Sequence, residues 1–309
     1  MIQCEKLSRR YGQLLALDQL DLHVDAGEVH GFVGPNGAGK STAMRIFATL
    51  LSPTSGRAMI GGVDVAADPE AARKVIGYMP DFFGVYDNLK AWEYLDLYAG
   101  CMRISAKARR RRIDELLDMT GMRDKRERYV DDLSRGMKQR LCLCRAMLHD
   151  PELLILDEPA SGMDPRSRAE MRDILREIGR TGKTVLISSH ILPELSELCS
   201  SMSILDKGKL VFSGQMDELE KKIHAAATLV IEFDKALDDA ERELAAEVCR
   251  RVTGAEAAMD EGRCRIDMPE DRAQDAALLR DLIGAGLRVC ACHRDKATLE
   301  DVFMEVIRE

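Results

Sequence analysis

The chain has 309 residues, 46% hydrophobic and 32% charged, which excludes a disordered protein and leaves room for one large domain or two. Its net charge of −8 argues against nucleic acid as a partner. No apolar run approaches the ~20 residues that span a bilayer, and the opening MIQCEKLSRRYG lacks the apolar core of a secretory signal, so the expected location is the cytoplasm. The nine cysteines are odd in number and show no Cys-x-x-Cys or Cys/His spacing, which predicts reduced, mostly buried thiols.

Short apolar runs at residues 29–33, 75–79, 153–156 and 185–188, each bounded by turn residues, predict buried parallel strands. The first runs into GPNGAGKST at residues 34–42, after which helical spacing resumes. Strand, glycine-rich turn and a helix opening on Lys-Ser-Thr make a phosphate cradle. Its members are Gly34, Pro35, Asn36, Gly37, Ala38, Gly39, Lys40, Ser41 and Thr42. Glycine lets backbone N–H groups turn inward, and the positive end of the helix adds to them. Lys40 is placed for the β- and γ-phosphates, and Ser41 for Mg²⁺. The cradle alone does not separate a kinase, a GTPase, a helicase and a transport ATPase.

Helices are expected over residues 90–99 and 106–120, stopped by Gly100 and Gly121. Ile113, Leu116 and Leu117 form an apolar stripe; Arg109 to Arg112 are followed at once by acids and read as a solvated face. This region reads as a helical insert in an α/β core. In LSRGMKQR, residues 133–140, Ser134 is a good N-cap; the stretch reads either as an ordinary capped helix or, with the Ser134 hydroxyl, the Gly136 N–H and the helix end, as a second anion site. In LLILDEP, residues 153–159, a buried strand ends in two acids. Asp157 can hold Mg²⁺ through water opposite Ser41, and Glu158 can polarise an attacking water. After about residue 216 the order is β-α-β-β-α-β, which suggests a small ferredoxin-like sandwich. Thr298 is placed to cap a last helix with Leu299, Val302, Phe303 and Val306 on one face.

In this order the motifs resemble those of the ATP-binding subunits of ABC transporters, over residues 1 to about 216. Tyr11 is similar to the aromatic residue that stacks on adenine. Residues 34–42 resemble the Walker A loop, 133–137 the signature, 153–158 Walker B, and 161–164, ending in Asp164, the D-loop. His190 resembles the switch histidine that contacts the γ-phosphate. The resemblance implies an α/β P-loop NTPase core at residues 1–217 with a helical insert at about 82–134, plus an α+β accessory domain at 218–309. It implies ATP hydrolysis with Mg²⁺, with Lys40, Glu158 and His190 as the catalytic groups. It also implies a head-to-tail dimer, read as two copies of this chain, with each ATP held between Walker A of one subunit and the signature of the other. A separate membrane permease would be the partner, with this subunit peripheral on the cytoplasmic face.

The chain departs from the family at three places. Asp81 stands where the Q-loop normally has glutamine, and is expected to contact Mg²⁺ or its water. Arg135 replaces a glycine and Met137 a glutamine in the signature, while Ser134 and Gly136 remain. Phe82, Phe83, Val85, Tyr86, Trp92 and Tyr94 cluster after the Q-loop position in a chain only 5% aromatic, and are candidate anchors for a permease helix. ATLEDVF, residues 297–303, resembles the tails of export-type subunits. A GTPase would need an Asn-Lys-x-Asp guanine reader, and none is visible. ATPases of this kind that act in translation or repair carry two motor halves or a long coiled coil, and neither is present.

Overall fold

The computed structural model describes residues 1–81, 84, 86, 88–189, 195–219, 228–260, 262–268 and 272–295. It divides into two compact units, Met1–Met216 and Asp217–Glu309.

The first unit contains two sheets. One is antiparallel in the order β2-β1-β4-β5, from β1 (Ile2–Tyr11), β2 (Leu14–Val24), β4 (Ser55–Ile60) and β5 (Val63–Asp64). The other has the order β10-β9-β3-β8-β7-β6. Its parallel strands are β3 (Val29–Val33), β6 (Ile76–Met79), β7 (Leu153–Asp157), β8 (Thr184–Ser189) and β9 (Ser201–Asp206), and β10 (Lys209–Gln215) closes one edge antiparallel to β9. The strands of this second sheet from β3 to β8 are nearly continuous runs of buried residues, as expected for strands covered on both faces.

Helix α1 (Lys40–Phe47) follows β3, and its Ala43, Met44, Ile46 and Phe47 join Ile2, Leu17, Leu20 and Ile60 in the main core. Helix α2 (Pro69–Val75) is capped by Asp68, whose carboxylate accepts from the Ala71 N–H at 3.0 Å. Val75 belongs to this helix rather than to the strand expected from residue 75, because Asp68 and Pro69 set the helix start and seven residues follow before the backbone extends at Ile76. The insert is built from α3 (Ala91–Cys101), α4 (Ala106–Met119) and the start of α5 (Arg135–Met147), packed around Tyr94, Leu95, Ile113, Leu116, Leu117 and Leu141. Gly100 does not stop α3, which runs on to Cys101. Its bare Cα instead admits Arg109 of α4, whose Nη1 lies 2.6 Å from where a Cβ would stand. Gly121 does take the left-handed conformation, φ 64°, just after α4. Helix α6 (Pro165–Arg180) lies between β7 and β8 in the chain.

The second unit has the order β11 (Thr228–Phe233), α7 (Asp239–Thr253), β12 (Ala257–Asp260), β13 (Arg263–Asp267), α8 (Arg272–Gly284) and β14 (Val289–Asp295). The sheet is antiparallel in the order β12-β13-β11-β14, the ferredoxin-like arrangement of two split β-α-β halves. Leu229, Ile231, Val248, Ile266, Leu278 and Leu282 fill the space between sheet and helices. The helix expected after Thr298 lies outside the described residues. Among the described residues no helix is long and apolar enough to cross a membrane.

Candidate nucleotide-binding site

The loop between β3 and α1 is fixed by backbone approach. Gly39 sits at φ 105°, and a Cβ there would lie 2.5 Å from the Ala16 carbonyl oxygen on β2. Gly37 is also left-handed, at φ 84°. Both demands exclude ordinary side chains and leave the N–H groups of the loop free of Cβ cover. The Ala38 N–H donates to Pro35 O at 3.1 Å, closing the turn. Lys40, only 7% exposed, donates from Nζ to Gly34 O at 2.6 Å and to Pro35 O at 3.2 Å. Burial lowers its pKa, opposed by the carboxylates of Glu158 and Asp157. A lysine held among backbone carbonyls and facing acids is a cation ready to exchange those partners for phosphate oxygens.

Asp157 ends β7 and is 2% exposed. Its Oδ1 accepts from Ser41 Oγ at 3.2 Å and from Ser188 Oγ at 2.7 Å. Ser188 Oγ in turn accepts from the Glu158 N–H at 2.9 Å. The parallel register Asp157↔Ser188 between β7 and β8 places these groups side by side. Glu158 has φ 51°, a left-handed backbone that costs a side-chain-bearing residue about 1–2 kcal/mol and ends the strand. The structure therefore brings together Lys40, Ser41, Asp157 and Glu158. Ser188 was not singled out by the sequence reading, where it looked like the end of an apolar strand. Its only signal is a hydroxyl in a buried strand next to one that ends in two acids.

The donor set suits Mg²⁺. The ion takes hard oxygen ligands in near-octahedral geometry and keeps several waters, so one hydroxyl and one carboxylate from the protein are enough. Ser41 Oγ and Asp157 Oδ1 offer that pair, and among the described residues no cluster of His, Cys, Asp and Glu offers a dedicated metal cage elsewhere.

The remaining expected residues are more dispersed. Tyr11 ends β1 and is 42% exposed, with the Arg9 guanidinium 4.8 Å from its ring centroid. It lies on the same β1–β2 ribbon whose Ala16 touches Gly39. Asp81 is exposed just beyond β6, whose Met79 pairs with Leu156 next to Asp157. Ser134 caps α5, accepting from the Met137 N–H at 3.4 Å, and Gly136 is buried beside Ser167. Asp164 caps α6 by accepting from the Ser167 N–H at 3.0 Å, and hydrogen bonding by the Ser167 side chain first, then by this N–H, lowers its pKa. His190, Phe82, Phe83 and Val85 lie outside the described residues. Tyr94 is not a surface anchor: it is fully buried, its ring centroid is 5.0 Å from that of Tyr98, and its hydroxyl accepts from Arg145 Nη1 at 3.1 Å. At position 94 the helix turns toward α5, so the ring fills the insert core. Trp92 is half-buried, and Tyr86 is 56% exposed.

A strand, phosphate loop and helix on a parallel sheet, with an acid-ended strand one place further along the sheet beyond β8, define a P-loop nucleotide hydrolase. The sequence model described as ABC transporter matches residues 17–161. The daunorubicin resistance ATP-binding protein DrrA2 of Streptomyces coeruleorubidus is 34% identical over 307 residues, covering 99% of this chain and 94% of that protein. The bacitracin transport ATP-binding protein BcrA of Bacillus licheniformis is 38% identical over 223 residues, covering 72% of each. A solved structure of the ATP-binding subunit of an ABC transporter superposes with TM-score 0.65 at 31% identity, covering 72% of this chain and 92% of that one. The chain belongs to the ABC transporter family, as an ATP-binding subunit with ATPase activity.

Proposed function

We propose that this subunit dimerises on ATP and drives outward transport through a separate membrane permease, using the residues gathered around Asp157. The observation that carries the reading is the linked set Ser41–Asp157–Ser188–Glu158 beside the buried Lys40. Gly34 to Thr42 would cradle the triphosphate with backbone donors, and Lys40 would move from its loop carbonyls to the γ-phosphate. Ser41 and Asp157 would hold Mg²⁺, whose charge would offset that developing on the phosphate oxygens. Glu158, turned out of the strand, would orient water, and His190 would contact the γ-phosphate. Tyr11 would stack on the base.

The start of α5 supports a second chain. Helix α1 packs against β2, β4 and β7, whereas α5 packs against α3, α4, α6 and β6. Two helix starts suited to phosphate, built into different surroundings, are explained when Ser134 and Gly136 of one chain complete the site of another. A cleft lined by Arg73, Lys74, Tyr78, Tyr98, Met102 and His149 combines cations with apolar surface and supports permease docking between α2 and the insert. Tyr86, 56% exposed, remains a candidate anchor. The similarity to a protein named for daunorubicin resistance runs through the second unit as well, which supports export of a drug from the cytoplasmic face of the membrane.

The test is recovery of Glu158→Gln from native membranes in ATP. One polytopic membrane protein should co-purify, and it should be lost when ATP is removed. Recovery of ribosomes or DNA instead would overturn the transport reading.

A further inference from the structure

We propose that Arg135 is a positioning residue that clamps the loop 158–164 of its own chain and so steadies Glu158; this rests on the catalytic role proposed above for Glu158. Arg135 is the first residue of α5 and stands where a glycine would be usual in the resembling motif. Gly162 shows where its side chain goes. A Cβ on Gly162 would lie 2.5 Å from Arg135 Nη1 and 2.6 Å from Nη2, so the guanidinium lies over the bare Cα. Gly162 also has φ 66°, so glycine is favoured there for its backbone as well as for its missing side chain.

Two neighbours on the same helix reinforce the contact. Gln139, 2% exposed, donates from Nε2 to Ser161 O at 3.0 Å. Gly136 packs so closely on α6 that a Cβ would lie 3.1 Å from both Cβ and Oγ of Ser167. The first turns of α5 therefore grip Ser161, Gly162 and the start of α6. The loop then closes on itself, with the Ser161 N–H donating to Glu158 O at 3.0 Å and the Met163 N–H to Ala160 O at 3.3 Å. Fixing residues 161 and 162 fixes the turn that starts at Glu158. That turn carries the left-handed Glu158, a conformation that persists only when its surroundings enforce it. A glycine at 135 would have no side chain to enforce it. A lysine would offer a point charge on a flexible stem in place of a flat plate.

This role is exercised within one chain and before ATP arrives, which separates it from a contact with nucleotide across a dimer. The experiment is hydrogen–deuterium exchange of the ATP-free protein together with steady-state ATPase kinetics, for wild type, Arg135→Gly and Arg135→Lys. In Arg135→Gly the amides of Ser161 and Met163 should exchange about tenfold faster. Turnover should fall about 5–20-fold with the affinity for ATP unchanged. Arg135→Lys should restore little of either. Arg135→Ala, which keeps helix propensity in the first turn, should behave as Arg135→Gly does. Unchanged exchange at Ser161 and Met163 overturns the clamp, whether or not turnover falls. Faster exchange with undiminished turnover overturns its link to Glu158. Wild-type turnover in Glu158→Gln would instead remove the catalytic reading, while the exchange result would still report the clamp.

Discussion

Asp157 holds one carboxylate oxygen between two hydroxyls, and the two have different work. In the proposed site Ser41 would share the cation; Ser188 orients the acid at 2.7 Å and receives the Glu158 N–H at 2.9 Å. Ser188→Ala would leave the Glu158 N–H without that acceptor and loosen Asp157. An unsatisfied buried group of this kind costs about 1–3 kcal/mol. The expected outcome is turnover lower by roughly tenfold and a raised Mg²⁺ requirement; a Mg²⁺ titration identical to wild type would show that Ser188 serves only the strand. Asp81 is tested in the same assay. If it touches the ion or its water, Asp81→Ala should shift the Mg²⁺ dependence of ATPase, and superimposable curves would remove it from the metal site. Legibility at this scale follows physical demand. The phosphate loop was readable because Gly37 and Gly39 need left-handed backbones and Lys40 and Ser41 follow at a set spacing. Ser188 was not, since its partners Asp157 and Glu158 lie 31 and 30 residues away at the end of the neighbouring strand, and only the sheet register aligns them. Tyr94 was misread because aromatic residues close in sequence look like a patch, whereas successive helical positions point to different neighbours.

At the scale of elements, the sheet contains a buried polar ladder that the phosphate-loop strand depends on. His30 of β3 has Nδ1 2.7 Å from Ser201 Oγ and Nε2 2.8 Å from Ser203 Oγ, and Ser203 continues to Ser213 of β10 at 2.9 Å. Burial pushes the imidazole down from 6.5 to about 4, with Glu28 opposing. The unfolded chain therefore binds this proton at a higher pH than the folded one. The stabilising contribution is complete above about pH 6.5 and is lost as pH falls toward 4, about 3 kcal/mol in all. Urea unfolding of wild type and His30→Gln between pH 4 and 7 should show that much less pH dependence in the variant; parallel profiles would mean His30 does not titrate in this window. The same ladder explains why β9 escaped the sequence reading. Its serines break the apolar run that marks the other parallel strands, and their burial is made tolerable by the facing histidine together with Ser213. Strands β1 and β2 escaped for another reason: each has exposed, often charged residues interspersed with buried ones, so no continuous apolar run appears. Helices α1 and α4 were readable from start signals and stripes, while the end of α3 was not, because Gly100 serves packing against Arg109 rather than termination.

For the whole molecule, the family and the P-loop core follow from a few motifs in order, whereas the antiparallel sheet that brings Ala16 against Gly39 comes from pairings far apart in sequence. In the proposed assembly one chain supplies halves of two different ATP sites. Each half has its own helix start, one at Lys40 and one capped by Ser134. Sedimentation of Glu158→Gln with ATP, with bound nucleotide counted, tests this most directly. A dimer carrying two ATP molecules is expected, and adding Ser134→Arg should abolish the dimer while each chain still binds ATP. A monomer that holds ATP and never associates, or a dimer indifferent to Ser134→Arg, would contradict it.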